Sequence, residues 1–273
     1  MGRVEKTIDL GIEKMYQVEI SPKSGLAVGK VHGVGDRENQ QDAFGISNTA
    51  ECAVEEKGVL LVLADGMGGL CDGEKASMVA VVSCLNYFEQ YDIQEEVREE
   101  LFEMLYQANH QIRAELGANA GAGGSTVIAV RIKERVVSWV SVGDSRLYLF
   151  REGDLQQLNR EHNYAAQLTE MVANGEISEQ EAMAHPQRRA LTSYMGMDEI
   201  LEIDCNEEEL VLEKGDRLLI MSDGIFGTLS SEEIIAAMEY PARKAAMHLG
   251  MQIERKKKRN QDNYTAIVIE TIA

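Results

Sequence analysis

Apolar residues form one dominant run, Val59-Leu60-Leu61-Val62-Leu63-Ala64, which is followed by Asp65-Gly66-Met67-Gly68-Gly69. An apolar run of this length, rich in branched side chains, predicts a strand buried on both faces. The glycines predict a sharp exit from the strand, with room for another group to approach the backbone. Because a carboxylate at the end of a buried strand is poorly solvated, Asp65 needs a partner, which is a hydrogen bond, an arginine or a metal.

The rest of the pattern predicts further strands and helices. Strands are predicted at residues 26–34, 43–47, 125–131, 136–142, 147–150, 201–204, 209–212, 217–221 and 264–271, with an edge strand around 16–20. Helices are predicted at 74–91, 94–116, 161–174, 231–238 and 242–253, the fourth capped by Ser230 or Ser231. Residues 175–189 are polar, which predicts a mobile segment. This order lacks the regular alternation of a parallel fold, so it favours antiparallel sheets with helices packed outside them.

Composition narrows the class of protein. The chain has 273 residues, 44% of them hydrophobic, which is enough for one domain with an ample core. Its formal net charge of −19 disfavours nucleic acid and anionic membranes as partners and suits divalent cations. No apolar stretch is long enough to cross a membrane, and residues 1–14 lack the apolar core of a secretory signal. We therefore expect a cytoplasmic protein.

The four cysteines, Cys52, Cys71, Cys84 and Cys205, do not indicate a reactive or metal-binding thiol. None belongs to a Cys-x-x-Cys pair, so zinc and thioredoxin-type sites are disfavoured. None is followed by the arginine of a Cys-x5-Arg phosphate loop, so a thiolate phosphatase is disfavoured as well.

Five aspartates stand where predicted strands begin or end. Asp65, Asp144 and Asp223 each follow an apolar strand, Asp262 directly precedes one, and Asp42 ends the polar loop 35–42. Singly, each is typical of a turn or a cap. If the strands are neighbours, however, the carboxylates converge, and like charges that close need cations between them. Oxygen ligands suit magnesium or manganese, and two-metal sites of this kind support displacement at phosphorus.

Arg37, in the same polar loop, is the candidate for holding a phosphate, because a guanidinium can bind two phosphate oxygens at once. The alternative is a surface salt bridge to Asp36, Glu38 or another acid. The residues alone leave both interpretations open.

Seven motifs in order resemble the metal-dependent Ser/Thr protein phosphatases, the protein phosphatase 2C family, in their bacterial form. They are residues 37–42, Asp65-Gly66-Met67-Gly68-Gly69, Gly124-Ser125-Thr126, Gly143-Asp144-Ser145-Arg146, Leu191-Thr192 with Gly196, Ser222-Asp223-Gly224, and Asp262-Asn263-x-Thr265. Each motif is weak alone, but the ordered set is specific and covers most of the chain. The resemblance implies an α-β-β-α sandwich of four layers, with two mainly antiparallel sheets, and a single catalytic domain over residues 1–273.

The resemblance also implies roles for the site residues. Asp65 bridges two metals, with the Gly66 carbonyl on one of them, and Asp223 and Asp262 complete the first metal. Asp144 binds a third ion, Asp42 holds metal-bound water, and Arg37 holds the substrate phosphate. The expected cofactor is Mn²⁺ or Mg²⁺. The expected reaction is hydrolysis of phosphoserine and phosphothreonine by a hydroxide that bridges the metals, without a phosphoenzyme. The expected substrates are a Ser/Thr kinase, its targets or another phosphorylated regulator, and the expected state is a monomer.

Some positions depart from the family pattern. Gln41 stands where many relatives have an acid beside the second metal, which predicts weaker binding of that ion. Met67 replaces the histidine that eukaryotic relatives use as a proposed general acid, so no side chain is assigned that role. Ser193 stands where an arginine is usual, which puts the usual contacts of that segment in question. His162 matches a family Asp-His pair and is expected to be structural.

Two basic features have competing interpretations. Residues 175–189 fall where relatives carry a flap, and Arg188-Arg189 in it is a candidate contact for phosphoprotein, with a solvated loop as the alternative. The run Arg255-Lys256-Lys257-Lys258-Arg259 is interpreted as a solvated helix end rather than a nucleic-acid patch, because the chain as a whole is acidic.

Two rival functions remain open. One is a metal-dependent nuclease or other phosphodiesterase, and the other is a regulatory domain that binds phosphoproteins through a degenerate site.

Overall fold

The computed structural model describes residues 17–18, 20–47, 55–68, 72–91, 97–117 and 123–272. The strands are β1 Gln17–Val18, β2 Leu26–Gly33, β3 Asp42–Ile46, β4 Val59–Gly68, β5 Gly123–Ser125, β6 Val127–Lys133, β7 Val136–Val142, β8 Arg146–Arg151, β9 Asp154–Gln157, β10 Asp204–Cys205, β11 Leu210–Val211, β12 Arg217–Met221 and β13 Tyr264–Thr271. The α-helices are α1 Asp72–Gln90, α2 Val97–Leu116, α3 Tyr164–Ala173, α4 Glu179–Ala184, α5 Asp223–Phe226, α6 Ser231–Met238 and α7 Ala242–Lys256. A 3-10 turn spans Pro22–Ser24.

The strands form two sheets. One sheet has the order β1-β2-β13-β12-β8-β9, and the other has the order β10-β7-β6-β4-β3, with β11 beside β7 and β5 beside β4. Every pairing between the described strands is antiparallel. The predicted antiparallel architecture is therefore confirmed.

Strand β4 shows how the layers stack. Leu60, Val62 and Ala64 point toward α1 and α2, in one apolar cluster. Leu61 and Leu63 alternate with them and pack between the two sheets, in a second cluster. Because both faces are covered, the strand is apolar throughout rather than alternating. A third cluster packs the other sheet against α6 and α7, which completes the four layers.

The structure corrects the predicted end of the central strand. β4 does not stop at Asp65 but continues to Gly68, since Gly66–Gly68 pair with β5. Glycine usually weakens a strand, and here it marks a close approach of another backbone. A Cβ on Gly66 would lie 2.1 Å from the Gly73 carbonyl oxygen and 2.6 Å from that of Gln41.

Other predicted elements shift or change type. The segment 175–189 contains α4, which begins in a capping box formed by Ser178 and Glu181. The residues after β12 form the short helix α5 rather than a turn. The strands predicted at 201–204 and 209–212 are reduced to β10 and β11, of two residues each.

The predicted cap of α6 and the cysteines can be compared with the structure only where their residues are described. Ser230 caps α6 as predicted. Cys84 is buried and Cys205 is partly buried, whereas Cys52, Cys71, Tyr16 and Gly69 lie outside the described residues. No helix in the described part of the chain has the length and apolar character needed to cross a membrane.

Candidate active site

Both sheets direct their aspartates to one end of the sandwich. Asp42 begins β3 and lies opposite Asp65 of β4 in the strand register. Asp144 follows β7, Asp223 follows β12, and Asp262 precedes β13, the antiparallel neighbour of β12. The predicted convergence of the five carboxylates therefore has a simple origin, since in antiparallel sheets the beginnings of β3 and β13 lie beside the ends of β4 and β12.

The electrostatics of Asp65 show how close the carboxylates are. Burial raises the pKa of Asp65 well above its usual value, and the negative charges of Asp42, Asp223, Asp144 and Asp262 raise it further. Burial also raises the pKa of Asp223, with a further contribution from Asp262. Carboxylates that repel one another in this way do not all stay ionised unless a cation compensates their charge, so they bind protons or cations.

Asp144 and Asp42 are perturbed for related reasons. Burial, Asp223 and Glu161 raise the pKa of Asp144 to about 7. Burial raises the pKa of Asp42 to about 6, although hydrogen bonds from Thr265 and Ser222 oppose the shift. These hydroxyls donate to Asp42 Oδ2 over 2.6 Å and 2.8 Å.

Arg37 lies at the site, but it is already paired. Its Nη2 donates to Asp262 Oδ2 over 2.6 Å, in an ion pair that remains partly exposed on both sides. Of the two interpretations left open by the sequence, the structure shows the salt bridge, and the acid is Asp262, which is also a predicted metal ligand. A metal held at Asp262 would therefore compete with Arg37 for the same carboxylate.

Gln41 lies against the backbone of the central strand. Its carbonyl oxygen accepts the Gly66 N–H over 3.0 Å, and its own N–H donates to Asn263 Oδ1 over 2.8 Å. Its side-chain Nε2 lies 3.5 Å from the Gly68 carbonyl oxygen. The residue predicted to assist the second metal is thus bonded to the backbone of Gly66, whose carbonyl the same prediction assigns to a metal.

The donor set suits hard divalent cations. Asp42 Oδ1 is buried and accepts no hydrogen bond from the described residues, so it can still bind a cation or a water molecule. The repulsion between Asp65 and its neighbouring carboxylates also favours a bound cation. In the described part of the chain, no three Asp, Glu, His or Cys side chains form a ready-made cage for one ion. Backbone carbonyl oxygen and water would therefore have to complete the coordination, as they commonly do for Mg²⁺.

Sequence reasoning missed several residues that position the aspartates. Ser222 and Thr265 orient Asp42, and both lie inside the quoted motifs, so the signal was present. Asn263 holds the polar loop by donating to the carbonyl oxygens of Val34 and Asn39 over 2.8 Å and 3.0 Å.

The turn that carries Asp144 is held by a hydrogen bond to His162 and by contacts of Arg146. His162 Nδ1 accepts the Gly143 N–H over 3.1 Å, and burial lowers the pKa of the imidazole, in agreement with a structural role. Arg146 forms an ion pair with Glu161 over 2.8 Å and stacks on the Phe226 ring at 3.8 Å. Neither Glu161 nor Phe226 had a sequence signal that pointed to the site.

A cavity of about 860 Å³ lies between part of the aspartate cluster and the segment 175–189. Its lining includes Asp144 and Asp223 from the cluster and Arg188 and Arg189 from the segment. Both arginines are exposed, and the charge of Arg189 lowers the pKa of Asp223. Ser193 is fully buried, with its hydroxyl bonded to the backbone of Glu202, so it takes no part in this cavity wall.

The fold belongs to the class of four-layer α-β-β-α sandwiches, with a cluster of acids at one end, and the comparisons with known proteins identify the family. The family profile described as protein phosphatase 2C matches residues 28–263. The chain therefore belongs to the protein phosphatase 2C family.

Curated relatives include bacterial phosphatases. The chain is 30% identical over 218 residues to the serine/threonine protein phosphatase PstP of Mycobacterium tuberculosis, which covers 78% of this chain and 40% of that protein. It is 32% identical over 178 residues to the protein phosphatase PhpP of Streptococcus pneumoniae, covering 64% of this chain and 70% of PhpP.

Solved structures share the fold across nearly the whole chain. A serine/threonine phosphatase of Streptococcus agalactiae superposes with a TM-score of 0.77 at 28% identity, covering 90% of this chain and 99% of that one. The catalytic domain of PstP in complex with two manganese ions superposes with a TM-score of 0.71 at 26% identity, covering 91% and 99%.

Proposed function

We propose that this chain hydrolyses phosphoserine and phosphothreonine in proteins, with Mn²⁺ or Mg²⁺ as the cofactor and residues 1–273 as one catalytic domain. The observation that carries the proposal is the convergence of five aspartates at one end of two sheets, in the motif order of the family. The proposed substrates are a Ser/Thr kinase, its targets or another phosphorylated regulator, and the proposed state is a monomer.

The residues divide the work as follows. Asp65 would contribute to the sites of both core ions, with the Gly66 carbonyl at one of them and Gln41 beside the second, and Asp223 and Asp262 would complete the first. Asp144 would hold a third ion, and Asp42 would act through water with its Oδ1. When bound, the ions would offset the charge of the carboxylates and lower the pKa of water, which would supply the nucleophile for attack at phosphorus.

Arg37 has a second role in this scheme. Its ion pair with Asp262 would weaken if a cation shared that carboxylate, because the negative charge that holds the guanidinium would then be compensated. The guanidinium would then be available to bind two oxygens of the substrate phosphate. Met67 has no acidic proton, so we assign no side chain as the general acid.

Three measurements on the same protein separate this function from its rivals. A phosphothreonine peptide should release phosphate with added Mn²⁺ and should not do so with a chelator. Cleavage of a nucleic acid or another phosphodiester, without peptide turnover, would support the nuclease instead. Metal binding without either activity would support the regulatory domain.

We expect Gln41→Glu to tighten binding of Mn²⁺ or Mg²⁺, because a carboxylate adds negative charge beside the Gly66 carbonyl where the amide is neutral. An effect on the order of 10-fold in the dissociation constant is expected for a change next to a metal. Calorimetric titration of the metal into both proteins measures it. An unchanged affinity would show that residue 41 does not face the second ion.

We expect the double variant Arg188→Ala/Arg189→Ala to lose about three- to ten-fold in phosphopeptide kcat/KM, because two exposed cations of the cavity wall no longer contact the peptide. Turnover of a small aryl phosphate should change little. The matched control is Arg135→Ala/Lys214→Ala, which removes two exposed cations at the other end of strands β6 and β12. Equal losses on both substrates would contradict a role in binding the peptide.

A further inference from the structure

The basic run 255–259 ends α7 and continues toward β13, and we call it the basic turn. Lys258 Nζ donates to the Gly227 carbonyl oxygen over 2.6 Å. Lys256 Nζ donates to the Thr228 carbonyl oxygen over 3.0 Å and pairs with Glu233. Gly227 also lines the cavity that holds Asp144 and Asp223. Lys258 therefore joins the basic turn to the wall of the active-site cavity, and Lys256 binds the residue that follows Gly227.

The other three cations of the basic turn form no comparable contacts with the described residues. Arg255, Lys257 and Arg259 are exposed, and none forms an ion pair with any residue that the structure describes. Lys257 ends α7 in the left-handed region with φ of 45°. Glycine is the usual residue in that conformation at a helix end, because other side chains adopt it at a cost. The termination of the helix does not explain a lysine there.

The charge around the cavity points to an anionic ligand. The whole chain carries a net charge of −19, which repels acidic peptides at long range. Three segments nevertheless place cations beside the cavity. Arg37 of the polar loop pairs with Asp262 over 2.6 Å, Arg188 and Arg189 line the cavity together with Asp223, and Lys258 of the basic turn is bonded to Gly227 in the cavity wall. Cations from three segments thus border the site on an otherwise acidic protein.

We infer that the basic turn is a docking subsite for an anionic group of the substrate, next in its chain to the phosphoresidue that is hydrolysed. Lysine and arginine bind carboxylate and phosphate oxygens through charge-assisted hydrogen bonds, so a glutamate or a second phosphoresidue meets the requirement. The inference rests on the proposed phosphatase function and assigns the substrate class as phosphoproteins whose phosphosites have acidic or phosphorylated flanks.

The test uses three labelled phosphothreonine peptides that differ only in their flank, which is neutral, glutamate-rich or phosphorylated at a second threonine. Binding is measured by fluorescence anisotropy without added metal, and kcat/KM is measured with Mn²⁺. Lys257→Ala/Arg259→Ala should weaken binding of the two anionic peptides about five-fold, the effect of losing two exposed charge pairs, and leave the neutral peptide unchanged. The effect should shrink as salt is added. The two anionic peptides distinguish a carboxylate subsite from a phosphate subsite.

The controls make the outcomes distinct. Lys257→Glu/Arg259→Glu should reverse the preference, whereas Arg135→Ala/Lys214→Ala, with the same loss of charge far from the cavity, should preserve it. Equal binding of all three peptides by the unaltered protein, or an equal loss in the distant control, would overturn the inference. Hydrolysis without flank preference would refute the subsite alone. Flank preference in binding without any hydrolysis would refute the phosphatase function alone.

Discussion

Replacement of Asp65 by asparagine should abolish phosphopeptide turnover and at the same time raise the melting temperature of the metal-free protein. The two effects have one cause. Asp65 is the carboxylate on which the charges of Asp42, Asp144, Asp223 and Asp262 converge, and both burial and this repulsion raise its pKa. A neutral amide of the same shape relieves the repulsion but cannot hold two cations.

The loss of turnover should be at least about 1000-fold, because bridging metal ions contribute several kcal/mol to stabilising the transition state. The gain in stability is expected to be on the order of 1 kcal/mol, which raises the melting temperature of a chain of this size by about 2–4 °C. Steady-state kinetics with Mn²⁺ and thermal unfolding with a chelator measure the two effects. Because the pKa of Asp65 is raised in the folded protein, the residue costs little stability at low pH, where it is protonated in the folded and unfolded states alike. The cost grows as the pH rises, so the difference in melting temperature should be larger at pH 8 than at pH 5.

The matched control is Asp154→Asn, which removes one exposed carboxylate at the far end of β8 and should change neither quantity. Retention of more than a tenth of the turnover in Asp65→Asn would show that Asp65 does not bridge the metals. A lower melting temperature in the metal-free variant would show that the carboxylates are not in conflict.

The sequence predicted the architecture well where burial alone decides it. Strand β4 is apolar at every position from Val59 to Ala64 because it is covered on both faces, and this signal does not depend on any distant residue. The five aspartates were predicted as a group because each stands at a strand end, and antiparallel neighbours bring such ends together. Both kinds of information are local, so a single sequence contains them.

The errors occurred where a distant segment overrides the local preference. Gly66 and Gly68 predict that the strand ends, but pairing with β5, more than fifty residues later, keeps the backbone extended. The sequence left Arg37 between a phosphate and a salt bridge to Asp36, Glu38 or another acid, and it could not identify Asp262, which is 225 positions away, as that acid. The support that Glu161 and Phe226 give to Arg146 is likewise a product of tertiary packing.

Gly224 illustrates the same lesson and leads to the second large effect. From the sequence, the glycine after Asp223 indicates a turn. In the structure it lies in α5, where a Cβ would fall 1.9 Å from the Asn263 carbonyl oxygen and 2.8 Å from the Asn263 carbonyl carbon. The two backbones touch, and this contact holds Asp223 beside Asp262, its neighbour in the site.

Gly224→Ala should therefore weaken binding of Mn²⁺ at least about 10-fold, since Asp223 and Asp262, the proposed ligands of the first metal, would be forced apart. It should also lower the free energy of unfolding by about 1–3 kcal/mol, the usual cost of an overpacked contact. Calorimetric titration and denaturant unfolding measure the two quantities.

The matched control is Gly45→Ala, whose Cβ would meet only the side chains of Leu85 and Val81, each at 2.7 Å. Side chains can rotate away from a new methyl group, whereas the backbone of Asn263 is held between α5 and β13. The control should therefore lose stability without losing affinity for the metal. If both variants bound Mn²⁺ as the unaltered protein does, the contact between the two backbones would not be what positions the ligands. If both lost affinity equally, general loosening of the fold would explain the effect, and Gly224 would have no special role.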